Sequence, residues 1–290
     1  MKNRFSRRGV LGTMLASGVA VAAFVRGGRA PAFGAEPLKG NINHSVCRWC
    51  YGKISLEDLC KAAKRIGLKS IELLSPDEWP ILKEFGLTCA IAQSGTGLTK
   101  GFNNPAEHER LIKAYEELIP AAAKNGVPSV ICFSGNRNGI SDEEGLKNCA
   151  EGIKKIIGLC EKHKVNLVME LLNSKVNHKG YQCDHTAWGV ELCKMVGSER
   201  FGLLYDIYHM QIMEGDLIRT IKENAQYLKH YHTGGNPGRH EIDETQEIYY
   251  PAVMRAIVET GYTGYVGQEF IPTGPDPLAS LEKCVRICDV

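Results

Sequence analysis

From residue 36 onward the sequence predicts a single-domain α/β fold, a closed (β/α)8 barrel. Short β-branched or apolar runs alternate with longer amphipathic segments, the pattern of a parallel sheet covered by helices. The alternation completes eight cycles within about 255 residues, the usual length of one barrel. No Gly-x-Gly-x-x-Gly follows the first strand, which weakens an open nucleotide-binding sheet as the alternative.

The first cycle pairs a strand at 41–46 with a helix at 55–66, where Ser55 followed by Asp58 resembles a capping box. Strands at 70–73, 88–92 and 129–133 precede helices at 78–85, 105–125 and 142–163. The second half repeats the order, with strands at 166–170, 202–206, 228–232 and 265–269 and helices at 186–196, 216–224, 251–260 and 277–288. Gly67, Gly126, Gly197 and Gly261 fall where helices are expected to end. The longest irregular stretches, 93–104, 135–141, 171–185 and 233–249, each follow a strand. In a barrel such loops gather at the C-terminal face, where active sites sit.

Residues 1–35 are set apart as a targeting segment. Ser6-Arg7-Arg8-Gly9-Val10-Leu11 resembles the twin-arginine export motif, and the apolar run at 9–25 is rich in Gly and Ala. Ala30-Pro31-Ala32 and Phe33-Gly34-Ala35 offer small-residue cleavage sites. A span needs about 20 strongly apolar residues. The expectation is therefore export to the periplasm with no membrane span left after cleavage. The segment holds six of the 35 Lys and Arg residues and no acid, so 35 − 6 = 29 basic residues face 33 acidic ones, a net charge of −4. A mildly acidic surface carries no electrostatic footprint for nucleic acid.

All 11 cysteines follow the leader, an odd number scattered over predicted helices and strands. Most are expected to be small buried hydrophobes. Cys47 and Cys50 form a lone Cys-x-x-Cys, without the second pair that a zinc ribbon requires.

Chemistry is expected where four consecutive strands end in ligand-type residues: Glu170, Asp206, His232 and Glu269. Neighbouring strand ends converge on one small volume. Three carboxylates gathered there would carry a large unpaired-charge cost without a cation. The mostly oxygen donor set suits one divalent ion, Mn²⁺, Mg²⁺ or Co²⁺ ahead of Zn²⁺. Further candidates lie on the loops. Arg239 could clamp a carboxylate or pair at the surface with Glu241 or Asp243, and Glu72 could bind a sugar hydroxyl or a loop arginine. Trp49, beside Arg48 and Tyr51, could wall a sugar face, and Asn136, Arg137, Asn173, Asn177 and His178 could shape the pocket.

On these residues the chain resembles the xylose-isomerase-like barrels, most closely hydroxypyruvate isomerases and ketose 3-epimerases. The likeness runs from Asn41 to the C-terminus and rests on Glu170, Asp206-Ile207-Tyr208-His209, Gln268-Glu269-Phe270 and the run from His232 to Glu241. Asn236-Pro237-Gly238-Arg239-His240-Glu241 looks like the hydroxypyruvate isomerase version, whereas His232 stands where those isomerases often carry Gln and the epimerases carry His. The resemblance implies a cation that holds neighbouring carbonyl and hydroxyl oxygens, Glu170 and Glu269 flanking the reacting carbon, and a catalytic His209 that hydrogen-bonds a substrate oxygen and helps to move a proton. Such a site would isomerise or epimerise a small keto-sugar or keto-acid by proton transfer through an enediolate. Two other classes stay open: a lyase or hydrolase acting on an oxidised sugar or glycoside, and a barrel that binds a sugar without turning it over. Apurinic endonucleases of this barrel type use a histidine-rich zinc cluster and a basic face, which this sequence lacks. Self-association is left undecided by the sequence.

Overall fold

The alternation of apolar runs resolves into strands β1 (Asn43–Cys47), β2 (Ser70–Glu72), β3 (Ser129–Cys132), β4 (Asn166–Glu170), β5 (Phe201–Asp206), β6 (Leu228–Thr233) and β7 (Tyr265–Gln268). The computed structural model describes residues 36–290, so the expected targeting segment at 1–35 lies outside it. All seven strands pair in parallel, in the order β2-β1-β7-β6-β5-β4-β3.

One expected strand is absent as a regular element. Residues 88–92 form an irregular stave that closes the sheet between β2 and β3. It meets β2 through Ile71 N donating to Thr88 O at 3.1 Å and Leu73 N to Ile91 O at 2.9 Å. It meets β3 through Ala92 N to Ser129 O at 2.9 Å and Ile131 N to Ala92 O at 3.1 Å. Between these ties the ladder is interrupted by side chains: Ala90 N donates to Ser70 Oγ at 2.8 Å, and the Cys89 thiol donates to Ile91 O at 3.2 Å. The barrel is thus closed by eight staves, seven of them regular strands.

Among the described residues ten α-helices cover it: α1 (Leu56–Ile66), α2 (Trp79–Glu84), α3 (His108–Asn125), α4 (Asp142–Lys154), α5 (Ile157–His163), α6 (Thr186–Val196), α7 (Ile207–Met213), α8 (Leu217–Asn224), α9 (Tyr250–Glu259) and α10 (Pro277–Cys288). The cap expected at α1 forms, with Ser55 Oγ accepting from Asp58 N at 3.1 Å and the helix ending on Gly67 at φ +100°. The helix expected over 142–163 is two helices. Lys155 N and Ile156 N turn to carbonyls three residues back, at 3.2 and 3.0 Å, which tightens the backbone and re-aims the chain into α5. Helix α7 was not expected; its seven residues are too few to show a periodicity. Among the described residues no helix is long and apolar enough to cross a membrane.

The strand period of two sorts the interior. Ile91, Ile131, Val168 and Leu204 pack into a small apolar cluster separate from the large core between strands and helices. On β1, β2 and β6 the corresponding positions hold Ser45, Cys47, Ser70, Glu72, His230 and His232, all buried. One side of the barrel interior is therefore apolar, beneath Glu170 and Asp206, and the other polar, beneath His232 and Glu269.

Ser70→Ala strands the buried Ala90 N–H. It is expected to destabilise the fold by about 1–3 kcal/mol in urea unfolding; an unchanged unfolding free energy would show that the stave does not depend on this bond.

Candidate functional site

Strands β4 to β7 deliver their last residues to one point. Glu170 ends β4, Asp206 ends β5, His232 lies in β6 and Glu269 follows β7. Their four ligand atoms lie within 4.8 Å of one another, and all four side chains are buried. The register accounts for the convergence: Asp206 sits opposite His232, which in turn sits opposite Gly267, two residues before Glu269.

Asp206 has a second task. As the N-cap of α7 it accepts from His209 N at 3.1 Å through Oδ1, leaving Oδ2 for the site. The same turn brings His209 Nε2 to 3.6 Å from Asp206 Oδ2.

His232 is held from behind. Its Nε2 donates to Glu72 Oε1 at 2.7 Å, and His230 Nε2 donates to the same oxygen at 2.9 Å. The ring's other nitrogen, Nδ1, faces the carboxylates, 2.7 Å from Glu269 Oε2 and 3.6 Å from Glu170 Oε1. Neither approach has hydrogen-bond geometry, so Nδ1 is a buried polar atom without a hydrogen-bond partner. Glu72 was expected to bind a substrate hydroxyl. It is wholly buried under the site and is spent on two imidazoles, because β2 reaches across the barrel to β6. A Cβ on Gly267 would lie 2.3 Å from Glu72 Oε1 and would press on that oxygen.

Arg239 follows the tight turn after β6, closed by Gly235 N to His240 O at 2.9 Å and Arg239 N to Gly235 O at 2.7 Å. Its φ of +59° is unusual for a residue with a side chain. The guanidinium reaches Asp206 Oδ2 at 3.1 Å and Glu269 Oε2 at 2.6 Å, and its faces meet the rings of Trp49 and Tyr208 at 5.3 and 5.5 Å. The surface pairing weighed for it does not form: Glu241 accepts from Thr273 N at 2.8 Å and Gly274 N at 3.1 Å, and Asp243 pairs with Lys283 at 2.8 Å. Trp49 donates its indole N–H to Glu269 Oε1 at 2.7 Å while its ring stays 46% exposed.

The electrostatics show the strain of the gathering. Burial pushes the Asp206 carboxyl up to about 7 against the pull of Arg239, and burial also raises Glu170. Glu269 is held well below the usual range because Arg239 and His232 outweigh its burial. Burial would lower the His232 imidazole, but the carboxylates of Glu269 and Glu170 outweigh it and hold the ring well above its ordinary value. His209 is pushed well down by burial and by Arg239. Three acids and one imidazole with an unpartnered inward nitrogen make a donor set that fits a divalent cation. The backing carboxylate of Glu72 is the outer partner such an imidazole usually has.

A cavity of about 500 Å³ opens over the cluster. Glu170 and Glu269 line it, as do Trp49, Arg239, His178, Gln93 and Ser94, together with the apolar Leu73, Leu98, Ile131, Phe133 and Leu172. Asn136 is not in this lining; its backbone bridges to Tyr181, and its carbonyl accepts from Asn103 Nδ2 at 2.8 Å. Arg137 is bound to Asp184 and Asp142, at 3.0 and 2.9 Å. Arg48 turns to Tyr51 O at 2.7 Å, and Tyr51 packs edge-on against Phe270. Cys47 lies buried 3.6 Å from Glu72 Oε1, and burial raises both its thiol and that of Cys50, so neither is poised as a thiolate. His230 and the anchoring role of Glu72 were missed from sequence. Alternation along β6 put His230 on the face of His232, but nothing local showed that β2 would meet them.

Glu72→Gln is expected to weaken divalent-cation binding by about 10- to 100-fold in a calorimetric titration, as loss of an outer partner usually does. Unchanged affinity would show that Glu72 does not support His232 as a ligand.

A 2-oxo-tetronate isomerase of Pectobacterium atrosepticum is 26% identical over 235 residues, 75% of this chain and 87% of that one. The hydroxypyruvate isomerase of Escherichia coli K12 is 29% identical over 169 residues, 58% of this chain and 65% of that one. The crystal structure of the 3-keto-D-glucoside 4-epimerase from E. coli superposes with a TM-score of 0.71 at 18% identity, over 85% of this chain and 98% of that one. The sequence profile described as xylose isomerase-like TIM barrel matches residues 60–284, and the chain belongs to that family.

Proposed function

We propose that this chain is a divalent-cation-dependent isomerase or epimerase of a small keto-compound. The observation that carries the reading is the division of labour in the cluster. Four donor atoms share one point, yet only the two glutamates, Glu170 and Glu269, also line the cavity. Those two can hold a cation and still reach a substrate carbon. The isomerase relatives support the class of reaction.

Glu170, Asp206, His232 Nδ1 and Glu269 would hold the cation, which when bound supplies Lewis-acid polarisation of a carbonyl and stabilisation of enediolate charge. The remaining chemistry belongs to the protein. One glutamate takes the proton from the carbon beside the carbonyl and the electron pair moves into the enediolate; a carboxyl group then returns a proton. Delivery to the former carbonyl carbon, with the hydroxyl proton passing to the former carbonyl oxygen, isomerises; delivery to the opposite face of the original carbon epimerises. Trp49 and Arg239 hold Glu269 in place through its two oxygens. A cavity of about 500 Å³ has room beyond a three-carbon acid and favours the keto-sugar end of the substrate range.

We further propose that residues 1–35 direct export through the twin-arginine route, which sequencing the N-terminus of periplasmic protein would test.

The reaction itself is tested with hydroxypyruvate and a panel of ketoses in heavy water. Deuterium is expected to enter the substrate, to stop on treatment with a chelator, and to fall at least ~100-fold in Glu269→Gln. Binding of sugars without any exchange in metal-loaded protein would replace this reading with that of a binding barrel.

A further inference from the structure

We propose that Asn173 is a positioning residue that fixes His209 in the tautomer with its proton on Nε2, so that the histidine the resemblance sets near a substrate oxygen meets that oxygen as a donor and not as a base. The donor role rests on the isomerase reading; the tautomer does not.

Asn173 is buried at the start of the loop after β4. Its Oδ1 accepts two backbone N–H groups of its own loop, Val176 N at 3.0 Å and Asn177 N at 2.9 Å. An amide turned the other way would set its own hydrogens against those two donors, so the loop itself assigns oxygen and nitrogen. Nδ2 then has two hydrogens to place. One goes to Asn177 Oδ1 at 2.7 Å and the other to His209 Nδ1 at 2.5 Å. Asn177 Oδ1 also accepts from the Tyr208 hydroxyl at 2.8 Å, so every donor in the chain points the same way. A ring nitrogen that accepts carries no proton, and the neutral imidazole must therefore carry it on Nε2.

Nε2 is where a donor would be useful. It is buried, has no hydrogen-bond partner in the protein, and lies 3.6 Å from Asp206 Oδ2, inside the proposed ligand cluster. The ring plane is held by His178 and Tyr208, which pack edge-on with centroids at 5.2 and 5.1 Å. The two histidines of the site are thereby set to opposite uses. His232 gives its Nε2–H to Glu72 and turns Nδ1 to the acids, where a bound cation would take the place of its proton; His209 takes a hydrogen bond from Asn173 and presents an N–H. A fixed donor beside the oxygen on which negative charge develops stabilises the enediolate without moving a proton.

Long-range proton–nitrogen NMR of protein labelled with ¹⁵N-histidine reads the tautomer directly, with His209→Gln assigning the signal. Wild type is expected to show a proton on Nε2 and a bare Nδ1. Asn173→Asp keeps an oxygen for Val176 N and Asn177 N but places an acceptor opposite His209 Nδ1, and is expected to put a proton there. A wild-type Nδ1 that carries the proton, or an Nδ1 still bare in Asn173→Asp, overturns the role of Asn173. In the heavy-water exchange, His209→Gln retains an N–H and is expected to stay within ~10-fold of wild-type kcat, while His209→Leu falls ~100-fold. Equal losses in the two variants overturn the donor role. The spectrum needs no turnover, so a protein with the expected tautomer and no exchange would count against the isomerase reading alone.

Discussion

Three carboxylates buried around one imidazole are the constraint on which the rest of this molecule depends. Glu170, Asp206 and Glu269 are brought together by strand ends, and bare proximity of that kind is costly in a low-dielectric interior. Every neighbour answers that cost. Arg239 sets its charge between Asp206 and Glu269 from a backbone conformation that side chains seldom adopt. Asp206 gives one oxygen to the first turn of α7. His232 turns an unpartnered nitrogen toward the acids because its other nitrogen is committed to Glu72.

That arrangement reaches down through the barrel. Glu72 accepts from two histidines through Oε1, at a place where a Cβ on residue 267 would press on the same oxygen, so β2, β6 and β7 are tied to one another beneath the site. The opposite side of the interior, built from Ile91, Ile131, Val168 and Leu204, needs no such ties. The polar half fixes directions and the apolar half fills space. The cavity above is mixed in the same way, lined by the glutamates, Trp49 and Arg239 together with apolar side chains.

Much of this was legible in the sequence, for reasons that can be named. Glu170, Asp206, His232 and Glu269 stand at or beside the ends of β-branched or apolar runs, and parallel strands in a barrel leave their C-terminal ends no other place to meet. The cap at Ser55 is a local signal and formed where it was expected. What stayed hidden depends on long-range closure. Glu72 meets His230 and His232 across 158 and 160 residues of chain, and no local pattern announces such a pair. The stave at 88–92 read as a strand because its composition is that of one, while the bond from Ala90 N to Ser70 Oγ that breaks its ladder is a tertiary accident. Asn173 looked like one loop asparagine among several, and its importance rests on four hydrogen bonds that only the folded loop reveals.

The central claim is that these four residues hold one divalent cation, and the most direct measurement is anomalous X-ray diffraction from crystals of the manganese-loaded protein. The account predicts a single anomalous peak per chain bounded by Glu170, Asp206, Glu269 and the Nδ1 of His232, with Nε2 still bound to Glu72. A peak elsewhere, or none at saturating manganese, would contradict it.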